Sequence, residues 1–100
     1  MIKDRKNFLV EASNIVCNNR EEEYGSPENS FSDIADLWSA YKGTEFTAED
    51  VAIMMMLLKV ARIKGGRYKE DSWVDAIGYL ACGAEIAANK DSVDCEGELI

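Results

Sequence analysis

Histidine is absent from this 100-residue sequence. That removes a catalytic imidazole, a His-ligated zinc and a Ser-His-Asp triad from consideration at once. Cysteine is scarce: Cys17, Cys82 and Cys95 are odd in number and lack a CxxC spacing, which reads as reduced thiols in an intracellular protein. Long apolar runs are missing too. The longest, Val51 to Leu58, is eight residues, far short of the ~20 that a membrane span needs. The first residues, MIKDRKNF, are charged and lead into no apolar signal region, so the expected location is the cytoplasm. Cations are outnumbered, 11 against 19 acids, for a net charge of −8 and a pI near 4.4. That balance argues against a sequence-blind binder of duplex DNA or RNA, which would carry a basic face. A small anionic ligand is not excluded, because a few local cations and helix N-termini can hold phosphate on an acidic protein.

What remains is a helical pattern with no convincing strand, repeat or linker. Apolar residues at 47% and charged residues at 30% fit one folded globular domain with a modest core. The expected organisation is a single helical domain over residues 1–90, a compact all-α bundle of about four helices, and a flexible acidic tail over 91–100. Helix one spans about 3–18, with Phe8, Leu9, Ala12, Ile15 and Val16 as its stripe. Ser26 caps helix two, the lone proline, Pro27, takes its first position, and Gly43 ends it in a left-handed conformation after about Tyr41. Its buried side is read as Phe31, Ile34, Ala35, Leu37, Trp38 and Tyr41. Thr47 with Asp50 forms a capping box for helix three, with a Phe46–Val51 staple, and Gly65–Gly66 stops it. Helix four begins near Glu70 or Asp71 and runs to about Asn89. Trp73, Ile77, Leu80, Ala81, Ala84 and Ile86 form its apolar side, and Gly78 and Gly83 permit close helix approach.

Helix three is the expected centre. It is apolar on every side from Val51 to Leu58, and a helix of that kind is read as buried on every side. Helices so apolar on so short a chain leave little solvated surface, so a homo-oligomer is expected.

Three groups of residues can carry chemistry. Asp71 and Asp75 lie one turn apart on helix four, with Tyr79 a further turn along; such carboxylates either share a magnesium ion or serve as a helix cap and an ion-pair partner of Lys59 or Arg62. Lys59 and Arg62 enter the apolar helix near its end, where they pair with acids, line a phosphate site or reach to solvent. Arg20, Tyr24, Gly25, Pro27 and Asn29 surround a turn that feeds a helix N-terminus, an arrangement that suits an anion carrying a ring, or a plain ordered loop. The acidic run Glu21–Glu23 reads as a solvated face, and Trp38 and Trp73 read as core.

In order along the chain, Arg20-x3-Tyr24-Gly25-x-Pro27-x-Asn29-x-Phe31, Ile34-Ala35-x2-Trp38, Glu49-Asp50-Val51-Ala52-x-Met54-Met55-x-Leu57-Leu58-Lys59-x-Ala61-Arg62 and Asp71-Ser72-x-Val74-Asp75-x2-Gly78-Tyr79 resemble a phage and prophage family of unknown function. The resemblance covers roughly residues 10 to 88 and, for a phage-encoded chain, implies the host cytoplasm. More distantly, the layout is similar to the all-α MazG-like nucleoside triphosphate pyrophosphohydrolases. Those enzymes hold magnesium on a Glu-Glu-x-x-Glu and a Glu-x-x-Asp motif and assemble as dimers or tetramers. Asp75 matches the last position of the second motif, but Ser72 stands where its Glu belongs, with Asp71 as the nearest substitute. Only Glu49 and Asp50 remain of acids for the first.

The resemblance implies a nucleotide-handling fold with an incomplete metal set. The leading expectation is a binder, with no cofactor, of a nucleotide or cyclic nucleotide. It would sequester a host immune signal without hydrolysis, as an anti-defence protein. Arg20, Lys59 and Arg62 would neutralise phosphate, Tyr24 or Tyr79 would stack the base, and Asn29 would read a polar edge. The alternatives are a magnesium-dependent (d)NTP pyrophosphohydrolase using Asp71, Asp75, Glu49 and Asp50, and a partner-binding bundle.

Overall fold

A computed structural model describes residues 3–19 (the backbone alone at Asn19) and 25–90. Arg20, Glu21–Glu23, Tyr24, Cys95 and the tail expected over 91–100 lie outside the described residues. Those described form four α-helices and no strand: α1 Arg5–Asn14, α2 Pro27–Lys42, α3 Ala48–Gly65 and α4 Glu70–Lys90. The all-α bundle read from the sequence is therefore observed. Among the described residues no helix is long and apolar enough to cross a membrane.

Local chemistry sets the helix ends. Asp4, not singled out by pattern, caps α1 in a reciprocal box with Asn7, and α1 runs on as a π-helical turn, Ile15–Asn19. Ser26 accepts from the Asn29 N–H to cap α2, and Gly43 closes it at φ 69° with its N–H donating to the Ser39 carbonyl. Thr47 and Asp50 form the expected capping box on α3, at 2.9 and 3.1 Å. Ser39 ties α2 to the entry of α3: its Oγ accepts from the Phe46 N–H at 2.8 Å and donates to the Ala35 carbonyl at 2.7 Å. Lys3 joins the start of α1 to that of α4 by hydrogen bonds to Glu11 and Glu70. Those bonds, Glu11 first, hold its pKa above the ordinary 10.5, so this contribution is complete below that pH and fades as pH rises through the raised value.

α3 and α4 run antiparallel, since Ala52 meets Gly83 near one end while Lys59 meets Asp75 nearer the turn. The core joins Phe31 and Ala35 of α2, Val51 and Ala52 of α3, and Cys82 and Ile86 of α4, with Trp38, Phe46 and Tyr79 packed against it. Trp38 and Phe46 meet edge to face, with ring centroids 6.1 Å apart.

Three sequence expectations are corrected. α3 is not buried on every side: Val51 and Ala52 are fully enclosed, but Ile53, Met54, Leu57, Leu58 and Val60 are exposed. α4 does not bury its bulkier face. Ser72, Val74, Gly78, Cys82, Gly83 and Ile86 turn inward, while Trp73 and Leu80 remain exposed. Leu9, Leu37 and Tyr41 are likewise exposed rather than core. On α4 the cause is the close approach that glycine allows: a Cβ at Gly83 would stand 2.8 Å from Ala52 Cβ, and one at Gly78 would stand 2.9 Å from Val16 Cγ1. Small residues choose the face.

Gly83→Ala is therefore expected to destabilise despite its better helix propensity. Overpacking against the enclosed Ala52 costs ~1–3 kcal/mol, and the propensity gain returns ~1 kcal/mol. Urea unfolding should show a lower midpoint for Gly83→Ala, partly recovered by adding Ala52→Gly. Equal midpoints for Gly83→Ala and wild type would count against this packing.

Candidate functional site

The α3–α4 turn bounds a cleft of about 520 Å³. Lys59, Arg62 and Gly65 come from the last turns of α3, Gly66, Arg67 and Lys69 from the connection, and Asp71, Ser72 and Asp75 from the first turns of α4. α3 ends at Gly65, and Gly66 after it is extended at φ −134°. At the start of α4 the Ser72 N–H donates to the Lys69 carbonyl at 3.2 Å, and the Ser72 side chain is buried.

The described lining of the cleft carries four cations, Lys59, Arg62, Arg67 and Lys69, against two carboxylates, Asp71 and Asp75. Lys59 Nζ sits 2.9 Å from Asp75 Oδ2, and the two side chains are only 14% and 18% exposed. This is one of the pairings open in the sequence, and it makes the couple part of the cleft floor. The ion pairs among the described residues are Lys3 with Glu11 and Glu70, Lys59 with Asp75, and Lys90 with Glu49; none involves Arg62, Arg67 or Lys69. Residues 51–69 contain five of the chain's 11 cations and no acid. Among the described residues these three cations have no carboxylate within ion-pair distance, although Asp71 lines the same concave site. Two guanidinium forks are well matched to phosphate oxygens.

The structure brings together some of the residues expected from the sequence and separates others. Lys59, Arg62, Asp71 and Asp75 line the one cleft. Asn29 caps into Ser26 in the first turn of α2, and the Tyr79 ring packs 6.2 Å from that of Phe31; neither lines the cleft. Arg20 and Tyr24 lie outside the described residues. Arg67 and Lys69 were missed because loop residues carry no periodicity. The signal that finds them is the acid-free basic stretch from 51 to 69.

The four carboxylates of the metal alternative do not form one donor set. Glu49 pairs with Lys90 at 3.3 Å, and Asp50 is held by its capping box. Both stand at the far end of α3 from Asp71 and Asp75: Asp50 precedes Lys59 by nine residues, about 13 Å of helix axis. Among the described residues no three acids or cysteines gather closely enough to hold a metal ion. Asp71 and Asp75 do share the cleft, but Asp75 is already committed to Lys59.

Fold and site together define an all-α bundle with a basic cleft where its two longest helices join. The chain belongs to the family described as domain of unknown function (DUF6378), which matches residues 7–87. It is similar to the Gene 55 proteins of two mycobacteriophages: 42% identical over 77 residues to that of Mycobacterium phage D29, covering 77% of this chain and 51% of the relative. For Mycobacterium phage L5 the figures are 47% over 73 residues, 72% of this chain and 47% of the relative. The chain thus spans about half the length of the curated relatives it matches. The phage family seen in the motifs is borne out over nearly the span expected. These findings do not show the likeness to MazG-like pyrophosphohydrolases. No solved structure matches the chain.

Proposed function

We propose that this chain binds a nucleotide or nucleotide-derived signal through its phosphates, in the α3–α4 cleft, and does not turn it over. The observation that carries the reading is the acid-free basic stretch whose Arg62, Arg67 and Lys69 face one cleft without carboxylate partners among the described residues. Lys59 contributes less directly, because Asp75 already balances its charge. Tyr68, although exposed between Arg67 and Lys69, lines a separate groove with Phe8, Leu9, Trp73 and Ile77, so no aromatic side chain among the described residues lines the cleft. Arg20 and Tyr24 complete the candidate set from the sequence side. In a phage setting the use of such a protein is to sequester a host immune nucleotide, which calls for affinity and no chemistry.

Hydrolysis is the second reading, favoured by one observation: Asp71 and Asp75 line the same cleft one turn apart. It is the weaker reading, since the partners it needs from Glu49 and Asp50 stand at the other end of α3. A test separates the two. The protein is incubated with each nucleoside triphosphate and magnesium, and products are resolved by anion-exchange chromatography. Intact nucleotide throughout is the expected result. Pyrophosphate release that Asp75→Asn abolishes would establish the enzyme and overturn the binder.

A further inference from the structure

Five of the twelve large apolar side chains exposed among the described residues stand on α3: Ile53, Met54, Leu57, Leu58 and Val60, each 39–53% exposed. At 100° per residue, Ile53, Met54, Leu57, Val60 and Ala61 fall within 60° of Leu57 on the helix wheel, flanked by exposed Asp50 and Lys64. The spacing 50, 53, 57, 60, 64 alternates three and four residues, the seam of a helix that packs lengthwise on another. The charges on this seam are one acid at its start and one base at its end, seven residues either side of Leu57.

We propose that α3 is a self-association surface, packing antiparallel on α3 of a second copy about a two-fold axis at Leu57. In that register Asp50 of each copy faces Lys64 of the other, Ile53 faces Ala61, and Met54 faces Val60. Asp50 Oδ2 accepts the Thr47 N–H, which leaves Oδ1 for the lysine. A parallel alignment would set Asp50 against Asp50 and Lys64 against Lys64, so charge selects the antiparallel one. The seam carries no net charge, so a chain of net charge −8 meets its copy there without like-charge repulsion. A two-fold contact is self-complementary by construction, which this pattern, symmetric about Leu57, satisfies. Lys64 does not line the cleft, so the surface is independent of the ligand reading.

Sedimentation velocity of the full chain across 1–100 µM tests this. The expected result is a species of about twice 11.1 kDa. Leu57→Glu, which sets two carboxylates together on the axis, should weaken the dimer at least 100-fold while circular dichroism stays helical. Lys64→Glu should weaken it about 10-fold, and raising the salt to ~1 M should remove most of that difference. A monomer at 100 µM overturns the proposal. So does a dimer indifferent to Leu57→Glu, which would place the contact on another face, or one indifferent to Lys64→Glu, which would remove the charge pairing.

Discussion

Replacing Arg62 and Arg67 together with alanine is expected to weaken nucleotide binding by about 100-fold or more. Each guanidinium is exposed on the cleft and makes no ion pair among the described residues, so the bound phosphate would be its partner. A hydrogen bond to a charged group contributes ~1.5–3 kcal/mol, and losing two such contacts removes ~3–6 kcal/mol of affinity. The fold should not notice, because exposed side chains without fixed partners change stability by ~0.5 kcal/mol or less. Isothermal titration gives the affinity and thermal unfolding gives the control. Lys42→Ala, a cation at the end of α2 that does not line the cleft, should leave affinity unchanged. The double variant should also show a flatter dependence on salt, having fewer charges to screen. Wild-type affinity in the double variant would remove the cleft as the binding site.

The second large effect is on stability. Asp75→Asn should destabilise the protein by ~2–3 kcal/mol and lower its melting temperature by about 10–20 °C. The neutral amide leaves Lys59 mostly enclosed between α3 and α4 without its counter-charge. Breaking a buried pair costs ~3–5 kcal/mol, and the lower estimate here allows for the residual exposure of both side chains. The double variant Lys59→Met with Asp75→Leu removes both charges at similar volume and should regain most of the loss. That recovery separates a structural pair from a ligand-binding one, because no binding role for Asp75 would make the double variant more stable than the single. If Asp75→Asn melts as wild type does, the carboxylate is free to hold something else.

Local signals and non-local ones were not equally legible in the sequence. Helix ends are decided within four residues, so Ser26, Pro27, Gly43, Thr47 and Asp50 announced α2 and α3 with their boundaries nearly in place. The buried faces were harder. α3 is apolar all round, so no periodicity distinguishes the side that meets α4 from the side that stays open. On α4 the pattern pointed to Trp73 and Leu80, but packing is decided by how near two backbones can come, and Gly83 against Ala52 allows the closest approach. A glycine spacing carries that information only once the partner helix is known.

The site was legible in the same uneven way. Lys59, Arg62, Asp71 and Asp75 drew attention as charges on apolar helices, and the antiparallel turn brings all four to one cleft. Glu49 and Asp50 look equally available in sequence, yet the length of α3 carries them to the opposite end of the hairpin. Arg67 and Lys69 belong to a connection with no period, visible only as a basic stretch in an acidic chain.

A thermal-shift screen of the purified protein tests most directly whether the cleft holds a phosphate-bearing ligand. The panel would hold nucleoside triphosphates, cyclic di- and trinucleotides and ADP-ribose derivatives, each with and without magnesium. A ligand at 100 times its dissociation constant adds ~2.7 kcal/mol of stability, a shift of about 10–20 °C for a domain of this size. At least one phosphate-bearing ligand should give a shift that is independent of magnesium, absent in the Arg62→Ala, Arg67→Ala variant, and accompanied by recovery of the ligand intact. No shift across the panel would contradict this, as would a shift that needs magnesium and leaves cleaved nucleotide behind.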